Sequence, residues 1–79
     1  MSSAISIQVF YFAQLREERN CSQEEFRVDQ GMSVSLIFTH IFGRIPFGIR
    51  FAINQSYVNP EAIPTDGDEV AFLPPLGGG

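Results

Sequence analysis

"SVSLIFTHIFG", residues 33–43, decides how this chain folds. Val34, Ile37, Phe38 and Ile41 recur at the helical spacing, so the stretch reads as an amphipathic helix with one apolar stripe. Ser33 is a good N-cap, Gly43 can end the helix, and Pro46 opposes its continuation. Outward in both directions the period changes from helical to alternating. "ISIQVFYF" (5–12) places Ile5, Ile7, Val9 and Tyr11 on one face of a strand and Ser6, Gln8, Phe10 and Phe12 on the other. "AQLREERN" (13–20) is polar around a single leucine and reads as a short helical turn. "EEFRVD" (24–29) alternates around Phe26 and Val28 as a second strand. After the helix, "RFAIN" (50–54) is a third strand, "NQ" a turn and "SYV" a short strand. "NPEAIPTDGD" is loop with an Asp66-Gly67 turn signal, and "EVAFL" (69–73) is the last strand. One main helix can cover one face of one small mixed sheet, which predicts an α+β fold with the first and last strands as central neighbours.

Composition bounds the function. Seventy-nine residues with 44% hydrophobic and 18% charged content make one globular domain with a small core. We expect residues 1–73 to form it and 74–79 to form an extended tail. The net charge is −4, with five arginines and no lysine, a poor balance for binding nucleic acid. The missing lysines also leave no side-chain amine to attack an activated acyl group on the same chain. No apolar run approaches the ~20 residues of a membrane span, and the first residues lack the basic and apolar regions of a signal peptide. A single cysteine makes no internal disulfide, so the cytoplasm is the expected compartment.

Side-chain chemistry is sparse. Cys21 lies among Glu17, Glu18, Glu24 and Glu25, acidic company that works against a nucleophilic thiol. His40 falls off the apolar stripe, and one His with one Cys makes no metal site. "DGDE" (66–69) lacks the remaining ligands of a calcium loop and reads as a turn into a strand. Neither metal nor cofactor is expected on this chain.

Two features remain. The first is a surplus of phenylalanine, eight in 79 residues. If the first and last strands are neighbours, Phe10, Phe12 and Leu73 form an apolar patch on the sheet face that the helix leaves uncovered, either a partner surface or the seat of a loop. The second is the end, "FLPPLGGG" (72–79). Pro74 and Pro75 have fixed φ and should hold a stalk extended, away from the sheet. Leu76 to Gly79 reach roughly 13–14 Å when extended, enough to deliver a carboxyl group into another protein's site. Glycine lacks a Cβ, which leaves its carboxylate open and its backbone narrow. The bland alternative is a frayed end.

Taken together, the element order, the outer apolar patch and the Gly-Gly end resemble the ubiquitin-like β-grasp sulfur carriers. "VFYFAQLREE", "AINQSYV" and "TDGDEVAFLPPLGGG" are similar to the small, sulfur-carrier subunit of molybdopterin synthase. That family tends to end G-D-E-V-A-F-x-P-P-V-x-G-G. Gly67 to Phe72, Pro74, Pro75, Gly78 and Gly79 match, Leu76 stands for Val, and Gly77 fills the variable position. "IFGRIPFGIR" is shorter and less typical than the family's middle segment. The thiamine-pathway carriers share the fold and Gly-Gly but usually lack Pro-Pro.

The resemblance implies that an E1-like enzyme uses ATP to adenylate Gly79, that a thiocarboxylate forms there, and that its sulfur passes to a cyclic pyranopterin precursor. It implies Gly79 and Gly78 as the reacting end. Phe10, Phe12, Leu73, Pro74, Pro75, Leu76 and Gly77 would contact the large synthase subunit in a heterotetramer. That subunit would supply the substrate-binding and acid–base groups. Two other uses share the adenylation step: conjugation to other proteins as a ubiquitin-like modifier, and sulfur carriage for thiamine or another product.

Overall fold

A computed structural model describes residues 3–75. Five strands and two helices follow in the order β1 (Ala4–Tyr11), α1 (Ala13–Arg19), β2 (Gln23–Asp29), α2 (Val34–Phe42), β3 (Arg50–Ile53), β4 (Ser56–Val58) and β5 (Glu69–Leu73). The strands form one mixed sheet in the order β2-β1-β5-β3-β4. β1 and β5 run parallel at its centre, with Val9 beside Val70 and Tyr11 beside Phe72. The other pairings are antiparallel. The fold is the α+β arrangement expected, with the sheet ends of the chain brought together.

The alternation in β1 does what its pattern predicts. Ile5, Ile7, Val9 and Tyr11 are buried with Val70, Phe72 and Phe51 from the neighbouring strands, and Val34, Ile37 and Phe38 of α2 close over them. The aromatic rings meet mostly edge to face: Phe38 and Phe72 centroids are 5.1 Å apart, and Phe51 and Phe72 are 5.6 Å apart. Edge-to-face contacts add to the area these rings remove from water. Ser33 caps α2, its hydroxyl oxygen accepting the Leu36 N–H at 3.2 Å, and Gly43 ends it in the left-handed region at φ 73°.

Residues 13–19 form a complete short helix rather than a passing turn. Leu15 supplies the reason, since its side chain is buried in the core. Asn20, a residue that tolerates the left-handed region, terminates this helix at φ 60°. Asn54 and Gln55 both have positive φ, the backbone of the tight two-residue hairpin that joins β3 to β4.

The "TDGD" turn is structural. Asp68 accepts the Thr65 N–H at 2.8 Å and the Asn54 side-chain amide at 3.0 Å. Asp66 accepts the Ser6 N–H at 2.8 Å. Asn54 in turn accepts the Glu69 N–H at 2.9 Å. These bonds fasten the start of β5 to β1 on one side and to β3 on the other.

Candidate functional site

The sheet has one covered face and one open face. Pairing register assigns Gln8 and Phe10 of β1, Glu69, Ala71 and Leu73 of β5, and Arg50 and Ala52 of β3 to the open one. Tyr57 of β4 joins them opposite Ala52. Phe12 follows β1 and is 43% exposed. Phe10, Phe12 and Ala71 line one shallow depression; Phe12, Ala52, Tyr57 and Leu73 line the next. The structure therefore brings Phe10, Phe12 and Leu73 onto one apolar surface, as their parity predicts.

Two members of this surface were absent from the sequence reading. Tyr57 is 66% exposed, and the Arg50 guanidinium lies over its ring, 4.3 Å from the centroid. Tyr57 is the middle residue of a three-residue strand. A strand that short gives no periodicity from which to choose a face.

The root of the tail has neighbours in the loop after α2. Pro74 is half-buried, and a Cβ placed on Gly48 would meet the Pro75 ring at 3.7 Å. Pro74 and Pro75 line a groove with Ile45, Phe47 and Ile49, so the stalk begins beside this loop, with Pro75 exposed. Ile45 and Phe47 themselves stay exposed, at 74% and 92%, so this contact is a loose one. Leu76, Gly77, Gly78 and Gly79 lie outside the described residues.

Two ion-pair clusters serve the fold. Tyr11 donates its hydroxyl to Glu24 at 2.7 Å, and Arg19 donates to the same carboxylate at 2.9 and 3.2 Å. Arg19 and then Tyr11 hold the Glu24 carboxyl below its ordinary pKa. Burial, and then the Glu24 carboxylate, push the Tyr11 phenol well above its ordinary pKa. Arg44 clasps Glu18 through two bonds at 2.9 and 2.7 Å and lowers that carboxyl too, tying the loop after α2 to α1. Cys21 is half-buried against the core, and His40 is exposed on α2. Among the described residues no three His, Cys, Asp or Glu side chains gather as a metal-binding group, and no helix is long and apolar enough to cross a membrane. The described surface thus offers an open apolar face beside β5.

Residues 9–79 match the ThiS family. The chain belongs to that family. Within it, this ThiS-family chain is similar over nearly its whole length to two molybdopterin synthase sulfur carrier subunits. That of Chlamydomonas reinhardtii is 37% identical over 95% of this chain and 100% of its own. That of Mycobacterium tuberculosis is 30% identical over 95% of this chain and 99% of its own. The crystal structure of SAMP1 from Haloferax volcanii superposes with a TM-score of 0.77 at 22% identity, covering 94% of this chain and 99% of its own. That likeness concerns the fold.

Proposed function

We infer that this chain is the sulfur carrier subunit of a molybdopterin synthase. The open apolar face, continuous through β5 with the strand that leads into the Gly-Gly end, is the observation that carries the reading. Its full-length similarity to named sulfur carrier subunits supports it. The reacting group is the Gly79 carboxyl. An E1-like enzyme transfers AMP from ATP to that carboxyl, with pyrophosphate leaving. A sulfur donor displaces AMP to leave a thiocarboxylate, whose sulfur passes to a cyclic pyranopterin precursor. The chain itself binds no cofactor; ATP is the activating enzyme's substrate.

A division of labour goes with this reading. This chain supplies the acyl end and the docking face; the large subunit supplies the pterin pocket and the acid–base groups. Phe10, Phe12 and Leu73 dock, and Pro74, Pro75, Leu76 and Gly77 continue the contact into the large subunit's groove. Gly78 stays small so that the tail can thread a narrow channel. We assign the assembly to the cytoplasm as a heterotetramer.

Reconstitution with the activating enzyme, a sulfur donor and the large subunit tests this directly. Removing Gly78 and Gly79 together, which leaves no Gly-Gly end, should abolish thiocarboxylate formation while leaving the thermal melt unchanged. In a chemically loaded chain, Gly78→Val should slow sulfur transfer by steric clash and restricted backbone. Full pterin sulfuration by the deletion variant would refute the assignment. Isopeptide-linked products in place of a sulfur-for-oxygen mass change would favour the modifier reading instead.

A further inference from the structure

We propose that Arg50 is a specificity contact that requires a carboxylate on the large subunit, placed where the tail leaves the sheet. The proposal rests on the docking reading above and adds a charge to it. Three observations support it. Arg50 pairs with Leu73 in the β3–β5 register, so it stands beside the last residue of the strand that leads into the tail. A protein that takes the tail while covering Leu73 comes up beside Arg50. Second, among the described residues the ion pairs are Arg19–Glu24 and Arg44–Glu18, and Arg50 has none. Third, its guanidinium is already parked 4.3 Å over the Tyr57 ring, which limits the side-chain freedom that binding must remove.

These facts set the partner's chemistry. Arg50 is exposed in the free chain and keeps its hydration. A docking partner strips that water away, and a guanidinium covered without a counter-charge is strongly destabilising. An apolar partner surface that suits Phe12, Leu73 and Tyr57 would therefore be rejected at Arg50 unless it carries a carboxylate there. A planar guanidinium held against a ring presents its N–H edge for a two-point contact with such a group. The apolar residues give affinity, and the arginine discriminates among apolar partners.

Titration calorimetry of the intact chain against the large subunit, at low and high salt, tests this. Arg50→Glu should weaken binding by about tenfold or more, since it sets two carboxylates against each other. Arg50→Gln, which keeps the stem without the charge, should bind more weakly than the native chain at low salt and lose much of the native salt dependence. Thermal melts should match the native protein, because the side chain is exposed. Phe12→Ala serves as the control on the docking reading. If Phe12→Ala loses affinity while Arg50→Glu binds as the native chain does, Arg50 is no specificity contact and the docking face stands. Equal salt dependence for the native and Arg50→Gln chains also overturns the proposal. If the native chain fails to bind the large subunit at all, the docking reading falls and the proposal with it.

Discussion

Tyr11 shows how one residue can join the core to the surface. Its ring is buried in the aromatic cluster, edge to face with Phe42 at 5.8 Å, while its hydroxyl reaches Glu24 at the sheet's margin. Arg19 completes the group, its guanidinium lying 5.8 Å from the Phe26 ring centre. The phenol's pKa is raised in the folded state, by burial first and by Glu24 second. A raised pKa for a group that is neutral when protonated contributes stability that is fully present below the unfolded value. That contribution is lost as pH climbs past about 10, the value in the unfolded chain. Glu24 behaves oppositely: its folded pKa is lowered, so its contribution is present above the ordinary carboxylate range and lost as pH falls through it. Tyr11→Phe should cost about 1–2 kcal/mol at neutral pH through the lost hydrogen bond to a charged acceptor, and should weaken the alkaline loss of stability. Melting temperatures across the pH range check both. An unchanged alkaline limb would show that another group controls it.

At the scale of elements, the parallel β1–β5 pair carries the architecture, and the residues around its start hold it in register. Asn54 and Asp68 form the clamp, one at the end of β3 and the other just before β5. Asp68 has its carboxyl pKa lowered by the Thr65 N–H first and by Asn54 next. Asp68→Ala strands the Thr65 N–H and the Asn54 amide at the surface, where water replaces part of what is lost. We expect about 1 kcal/mol of destabilisation, measured by urea unfolding, with a larger loss for Asn54→Ala because Asn54 also sits at positive φ in the hairpin turn. The strands and α2 were legible because each long segment repeats its period several times and α2 carries both caps. The clamp was not. Nothing local in "INQS" or "TDGD" says that residues 54 and 68 will meet, because that contact exists only once the sheet has assembled. For the same reason the groove under Pro74 and Pro75 was hidden: it depends on a loop, residues 45–49, that has no period to read. Most of the open apolar face was legible, since the parity of β1 and β5 sets Phe10 and Leu73 apart from the core residues once the two strands are taken as neighbours. Tyr57 and Arg50 required the sheet order.

On the scale of the whole molecule, the sheet separates two jobs. One face, closed by α2, holds the chain together; the other is free to meet a partner. A domain of this size has a stability of only several kcal/mol, so the covered face has little to spare. Phe38 is 1% exposed and touches Phe42, Phe51 and Phe72. Truncating it to alanine removes a ring from a close-packed cluster, a change that costs about 3–5 kcal/mol, enough to unfold much of the population. Phe12 occupies the other side. At 43% exposed it has less buried area to lose in the free chain, but docking would cover what remains. An aromatic anchor buried at an interface contributes about 2 kcal/mol or more, which is roughly thirtyfold in dissociation constant. Phe12→Ala should therefore lower affinity for the large subunit much more than it lowers the melting temperature, and Phe38→Ala should do the reverse. Calorimetric titration and thermal melts on both variants separate the two effects. If Phe12→Ala unfolds the isolated chain, the open face is part of the core and its apolar residues need no partner to explain them. If Phe12→Ala leaves both melting temperature and affinity untouched, docking does not use this face, and the proposed chemistry at Gly79 rests on the tail alone.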